Sequence, residues 1–397
     1  MILLHNRNFN LLLVSSIFSS FSISMYLLIE QWYVVTELGV PKLVGAVLLA
    51  TTLPRVIFMF IGGMLADRLR KSRIIFFSLL FRSSLMLLAA LLAEGDLLHL
   101  LPLLFLAVTF GVSDAFFWPA RDSIITQLVS EEHLTKANAY MQTINQLGVV
   151  LGPPAAALLL SFFSYSTVFA IIFSLLLISC LCQLTIKEPR KVNQTDVTIR
   201  FQIKEALQYI QSSSILRLLM LTFIFDNLLY IGPLMLSIPL FAESVFAGNA
   251  FTLSFLQISF SSGIIIGGIL LGLLTIKKQG RWITAFLLGE GILLCFYSQS
   301  ENLILSSILL CLLGVCVSAI NVPFISLIQS VVPKHLIGRV LSVSTLVSIG
   351  LVPLSYGLVS LLLIADISIV SILLVSSLSI VIFSSILILQ KNSFRKI

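Results

Sequence analysis

Twelve stretches of the chain are each long and apolar enough to cross a lipid bilayer, and no shorter motif limits the fold as strongly. They lie near residues 11–36, 42–66, 74–93, 97–118, 138–163, 165–186, 216–241, 250–275, 282–299, 302–325, 340–364 and 367–389. A crossing helix needs about 20 mainly apolar residues at about 1.5 Å each. The chain is 58% hydrophobic and only 10% charged, whereas a soluble domain carries about 25% charged residues. The expectation is an all-α polytopic membrane protein with twelve transmembrane helices. The stretch beginning near Leu11 is too long for a removable leader and is read as the first crossing. All five cysteines fall inside predicted helices, without metal or disulfide spacing, so packing is their expected role.

Charge placement sets the expected topology. Of the 24 Lys and Arg residues, 21 fall on one side, in loops from Arg7 through the cluster Arg68, Arg70, Lys71 and Arg73 to Lys396. Arg121 and Lys136 are counted among them. Only Lys42 lies on the other side, while Arg55 and Arg82 fall within crossings. Basic loops stay cytoplasmic, so both termini are expected inside, in a bacterial plasma membrane. The basic surplus then anchors topology at the inner leaflet and calls for no nucleic-acid partner.

The halves repeat at a spacing of about 204 residues. Gly62-Gly63 is echoed by Gly267-Gly268, Trp118-Pro119 by Val322-Pro323, and Gly152-Pro153 by Val352-Pro353. Residues 1–186 are expected to form one six-helix bundle and 216–397 the other. A polar cytoplasmic linker, 187–215, joins them; within it an amphipathic helix would turn Phe201, Ile203, Leu207 and Ile210 to lipid. Repeated halves suit rocking of one bundle against the other around a midplane site.

Ionisable groups inside crossings are costly and mark function. Asp226 lies roughly 15 Å into its helix and is the first candidate for proton coupling, with Glu30 the second. Glu30 sits beside Gln31, Trp32 and Tyr33, where an acid and aromatic rings suit a cationic or amphipathic ligand. The alternative makes Trp32 and Tyr33 interfacial belt residues. Arg55 either pairs with Glu30 or binds an anionic group. Trp32, Asn227 and Asn321 join Glu30 and Arg55 as candidate substrate contacts. Arg82 and Asp114, at similar depth, are expected to form a structural ion pair. Four acids against two bases favour a cationic or neutral ligand. The four histidines fall in loops, at the N-terminus or, for His99, at the very edge of a crossing, so carboxylates must carry any coupling. The chain has no phosphate-binding loop of the GxxxxGKS type and no HExxH motif, and neither a cofactor nor a metal is expected.

The run Gly63, Asp67, Arg68, Lys71 and Arg73 between crossings two and three resembles the signature loop of the major facilitator superfamily. Arg70 replaces the usual glycine of that signature, and Ser72 replaces one basic residue. In the second half Gly272 stands where the Asp would be. GVVLGPPAAA (148–157) resembles the antiporter signature of the superfamily's proton-driven exporters. WPARDSIITQLVSEEHLTKANAYM (118–141) is similar to the branch holding macrolide-type and enterobactin exporters, with a weaker similarity to lysophospholipid transporters. The resemblance implies a central cavity lined by crossings 1, 4, 7 and 10, with 3, 6, 9 and 12 outside. It also implies that Asp67 and its basic neighbours lock the inner helix ends. Gly148, Gly152 and Pro153 on crossing five would then serve gating, and Glu290 on peripheral crossing nine would serve packing or pairing.

The expected function is proton-coupled antiport, exporting a small amphipathic molecule such as a drug or siderophore, by a monomer in contact with lipid. Lysophospholipid movement and solute uptake stay open. A membrane-embedded lipid enzyme would need a nucleophile–base or metal constellation, and a sensor would need a large soluble domain; the sequence offers neither.

Overall fold

A computed structural model describes residues 6–186, 188, 199–274, 276, 278–333 and 336–389, the side chains at 67, 199–204 and 349 excepted. The helices are α1 (Arg7–Thr36), α2 (Val44–Arg68), α3 (Lys71–Glu94), α4 (Leu100–Leu128), α5 (Leu134–Phe162), α6 (Tyr165–Leu184) and α7 (Ile199–Ser212). They continue as α8 (Ser214–Asp226), α9 (Gly232–Leu240), α10 (Ala250–Leu273), α11 (Gln279–Ser298), α12 (Leu303–Val331), α13 (Ile337–Ile364) and α14 (Ile369–Leu389). The fold is all-α, and among the described residues twelve helices are long and apolar enough to cross a membrane, counting α8 and α9 as one crossing, as the apolar runs predict. Two units divide the chain: Met1–Asn193 with Gly248–Ser254, and Gln194–Ala247 with Phe255–Ile397. Large apolar side chains such as Leu101, Phe77 and Leu389 are exposed on the helices, a surface that only hydrocarbon tolerates.

In the first unit, glycines let helix backbones touch. A Cβ at Gly111 of α4 would stand 2.0 Å from the Thr51 carbonyl of α2, and one at Gly62 of α2 would stand 2.2 Å from the Ala115 carbonyl of α4. The second contact has a local cause. Pro119 has no N–H to offer the carbonyl four residues back, which is that of Ala115, and Gly62 closes over the freed oxygen. The helix therefore runs on through Pro119 to Leu128. This moves Arg121, assigned to a cytoplasmic loop from sequence, into α4, where it is 4% exposed.

Helix α1 is held from two sides. Gly148 and Gly152 of α5 approach Ser20 and Ser24 so closely that Cβ atoms would sit 2.7 and 2.5 Å from those side chains. On the other flank Ser15 and Ser179 of α6 exchange hydroxyl bonds to each other's carbonyls at 3.0 and 2.7 Å, polar links suited to an apolar medium. Helix α5 continues through Pro153 and Pro154 to Phe162.

At the start of α3, Glu188 supplies the cap. Its carboxylate accepts from the Lys71 and Ser72 backbone N–H groups at 3.1 and 3.0 Å and from the Ser72 hydroxyl at 2.8 Å. A carboxylate here satisfies orphan donors and complements the positive helix end. The Gln127 amide, oriented to satisfy both neighbours, donates to Glu188 and accepts from the Lys71 ammonium, each at 2.9 Å. Lys71 is thus buried in a network, while Arg68, Arg70 and Arg73 are exposed. The Asp67 carboxylate lies outside the described side chains.

The second unit repeats the glycine device. Cβ atoms at Gly263 of α10 and Gly314 of α12 would lie 1.9 Å from the Cys311 carbonyl and 2.2 Å from the Phe260 carbonyl. Between α8 and α9 the crossing widens into a π-helical turn, Asn227–Ile231. Ser355 of α13 explains the opening. Its hydroxyl donates to the Leu228 carbonyl at 2.5 Å and accepts from the Gly232 N–H at 3.1 Å, replacing the direct bond between them. Only glycine leaves room, since a Cβ at 232 would lie 2.1 Å from the Ser355 oxygen.

Helix α7 corrects the expected lipid-facing stripe. Ala206 and Ile210 are buried and α7 packs on α13, tied there by an ion pair between Glu205 and Arg339. Leu207 is exposed, and Phe201 and Ile203 lie outside the described side chains.

Gly63, the signature glycine, has nothing within 4 Å of a Cβ placed on it. Gly111→Ala should therefore cost about 1–3 kcal/mol of stability through overpacking, while Gly63→Ala should be near neutral. Thermal melts of the detergent-purified proteins separate the two outcomes.

Candidate functional site

Among the described residues, three polar clusters built on carboxylates lie within the apolar helices, two in the first unit and one in the second. In the first, α2, α3 and α4 converge on Asp114. Arg82 Nη2 donates to Asp114 Oδ1 at 2.6 Å and Arg55 Nη1 approaches Oδ2 at 3.1 Å. The Trp118 indole N–H, one turn along α4, also reaches Oδ2, at 2.9 Å. Arg82 is fully buried, its guanidinium 4.4 Å from the Phe117 ring centroid and 5.3 Å from that of Phe110, where ring faces favour a cation.

Arg121, one turn further along α4, lies 4.1 Å from the Trp118 centroid, with Arg55 at 5.5 Å. Its Nη1 donates to Asn145 Oδ1 of α5 at 2.7 Å, and that oxygen also accepts from Ser20 of α1 at 3.0 Å. Its Nε and Nη2 donate to Asp122 at 3.1 and 2.7 Å. Neither Trp118, Arg121 nor Asn145 was singled out from sequence as a site residue. The WPARD run carried the signal for the first two, but Pro119 was read as the helix end.

The second cluster centres on Glu30 of α1. Its Oε1 accepts from Tyr26 and from Thr51 of α2, each at 2.8 Å, and Oε2 has no partner. Tyr26 stacks on Phe110 at 4.4 Å. Of the two alternatives for Arg55, pairing with Glu30 gives way to pairing with Asp114. The aromatic partner of Glu30 is Tyr26, four residues back on the same helix face, rather than Trp32 or Tyr33. Those two are buried instead of forming a lipid belt. Tyr33 meets Tyr165 edge-on at 5.0 Å and donates to the Leu98 carbonyl at 3.1 Å.

In the second unit Asp226 ends α8, where the helix widens, and Tyr230 follows within the π-helical turn. Glu290 of α11 interacts with both, and Cys316 of α12 lies beside them. Asp226 Oδ1, both Glu290 oxygens and the Tyr230 hydroxyl are buried without a formed hydrogen bond. This neighbour of Asp226 was not foreseen, because depth along a helix does not fix direction around it. Asn227 points elsewhere, donating to the Phe223 carbonyl at 2.8 Å and accepting from Ser348 at 3.0 Å. Asn321 on α12 is half-buried and belongs to none of these clusters. No metal-ligating cluster occurs among the described residues.

The family model for the Major Facilitator Superfamily matches residues 12–355. Macrolide efflux protein A of Streptococcus pyogenes is 26% identical over 347 residues, covering 84% of this chain and 84% of that protein. A Na+, Li+, K+/H+ antiporter of Planococcus maritimus is 29% identical over 183 residues, 46% of this chain and 42% of that protein. Among solved structures, an inward-facing, unoccupied bacterial homolog of the human lysosomal transporter Spinster aligns with a TM-score of 0.69 at 17% identity, covering 96% and 95% of the two chains. At that identity the likeness concerns the fold alone.

Asp114→Asn strands the buried Arg82 charge and should cost about 3–5 kcal/mol. Arg82→Met combined with Asp114→Leu should recover part of that loss, because the fully buried charge is then gone and only the partly exposed Arg55 loses its partner. Melting temperatures of the single and double variants test the pair.

Proposed function

We propose, for a chain that belongs to the major facilitator superfamily, that proton exchange at the Asp226–Glu290 pair drives the export of a small amphipathic molecule. Membership makes the protein a multi-pass membrane transporter that moves a solute and is not an enzyme. The coupling and the direction are our reading. The juxtaposition of two buried acids carries it.

Two carboxylates side by side in an apolar interior repel strongly, and a proton held between them removes the repulsion. Among the described residues no arginine or lysine interacts with the pair to take over that role; Tyr230 and Cys316 do interact with it. The pair also sits where the helix is least constrained. Ser355 has already opened the backbone ladder one turn beyond Asp226, so a modest change in that wedge alters what surrounds the acids. Proton release from the pair as the helix shifts gives an exchange step that alternates with ligand binding. Glu30, with one carboxyl oxygen unpartnered, is a second exchange position in the first unit.

Export is supported by the similarity to macrolide efflux protein A across most of both chains and by the 118–141 run. The basic loops support a bacterial plasma membrane with both termini inside. A second reading, exchange of a monovalent cation for protons, draws on the similarity to the Planococcus antiporter and would use the same acid pair.

Respiring everted vesicles should accumulate at least one of a labelled panel of neutral, cationic (including a macrolide) and anionic amphiphiles. A protonophore should abolish the uptake, and Asp226→Asn or Glu290→Gln should lower it about tenfold or more. Accumulation indifferent to the protonophore and to both substitutions contradicts the coupling. Collapse of the pH gradient by added Na+ or K+, with no amphiphile moved, selects the cation reading.

A further inference from the structure

In the first unit, three guanidiniums within the crossings bond only two carboxylates. Arg55, Arg82 and Arg121 face two acids, Asp114 and Asp122. Asp122, with a side chain 63% exposed, is bonded twice by Arg121. Two guanidiniums therefore share the one carboxylate of Asp114, which already accepts the Trp118 indole as well. Glu30, the remaining acid nearby, bonds Tyr26 and Thr51 and no arginine.

The donors tell the same story as the charges. Arg55 Nε, Arg82 Nε and Arg82 Nη1 are buried without a partner. Unpartnered N–H groups on a buried cation are costly within a membrane. Aromatic faces offset part of that cost for Arg82, which is closed off from solvent. Arg55 is the accessible member: its side chain is 35% exposed. Beside it the half-buried Trp118 ring offers an apolar face, with Arg121 on the same indole.

We propose that the transported molecule is an amphipathic anion, its carboxylate or similar monoanionic group docking on Arg55 and its apolar body lying against Trp118. A guanidinium suits such a group because it presents paired donors in one plane. The inference rests on the transporter reading and adds the charge of the solute. It reverses the preference for cationic or neutral ligands drawn from counting intramembrane charges. That count pooled acids and bases lying in different units and left out Arg121.

The test is equilibrium binding to the full-length protein in nanodiscs, with no gradient present. The probes are a labelled long-chain aryl alkanoate, its methyl ester as the neutral twin, and lysophosphatidylglycerol as a lipid competitor. The acid should bind at least about tenfold tighter than the ester. Arg55→Gln should erase that preference, and Arg55→Lys should keep most of it. Displacement of the acid by lysophosphatidylglycerol at lower concentration than by unlabelled acid also supports an anion site and makes a lipid headgroup the source. Equal affinity for acid and ester in the unaltered protein overturns the proposal, as does an acid preference that survives Arg55→Gln. Because binding needs no gradient, a protein that fails the protonophore test still passes this one, and a proton-driven exporter of cations fails only here.

Discussion

One carboxylate, Asp114, governs how the first unit can be assembled in hydrocarbon. It ties Arg55 on α2 and Arg82 on α3 to its own helix α4, and it takes the Trp118 indole as well. A fully buried guanidinium such as Arg82 persists only beside a counter-charge. The positions of α3 and α4 therefore follow from this pair as much as from apolar packing. The glycine contacts depend on the same register. Gly62 and Gly111 bring α2 within backbone contact of α4, and that approach is what lets Arg55 share the acid Arg82 already holds.

The two units apply the same packing rule to different chemistry. Each joins a pair of its helices through reciprocal glycines set against carbonyls, Gly62 and Gly111 in one, Gly263 and Gly314 in the other. Within that shared frame the ionisable groups differ. In the first unit arginines gather around Asp114, with Glu30 apart from them, whereas in the second Asp226 and Glu290 lie together.

The sequence made the twelve crossings plain, because lipid demands long apolar runs and leaves little room for alternatives. Arg82 and Asp114 were legible as partners for the same reason: opposite charges at equal depth have few other choices. What escaped was azimuth and continuity. Pro119 read as a helix stop, although Gly62 accommodates the carbonyl it frees, and so Arg121 was placed in a loop. The Asp226–Glu290 contact lies beside a π-helical turn held open by Ser355, more than a hundred residues away in sequence, which no local pattern announces. Glu188 was hidden for a simpler reason, as an acid in a polar linker that turns out to cap α3. Leu207 and Ile210 shared one predicted face, yet α13 buries Ile210 and leaves Leu207 exposed.

The reading of function stands on a proton held between Asp226 and Glu290 and given up when the solute binds. Purified protein in weakly buffered detergent with a pH-indicator dye measures this directly. Addition of a transported amphiphile should release about one proton per molecule bound, and none when either acid is replaced by its amide. Saturable binding with no proton released by the unaltered protein, or the same release from the Asp226→Asn and Glu290→Gln variants, would contradict it.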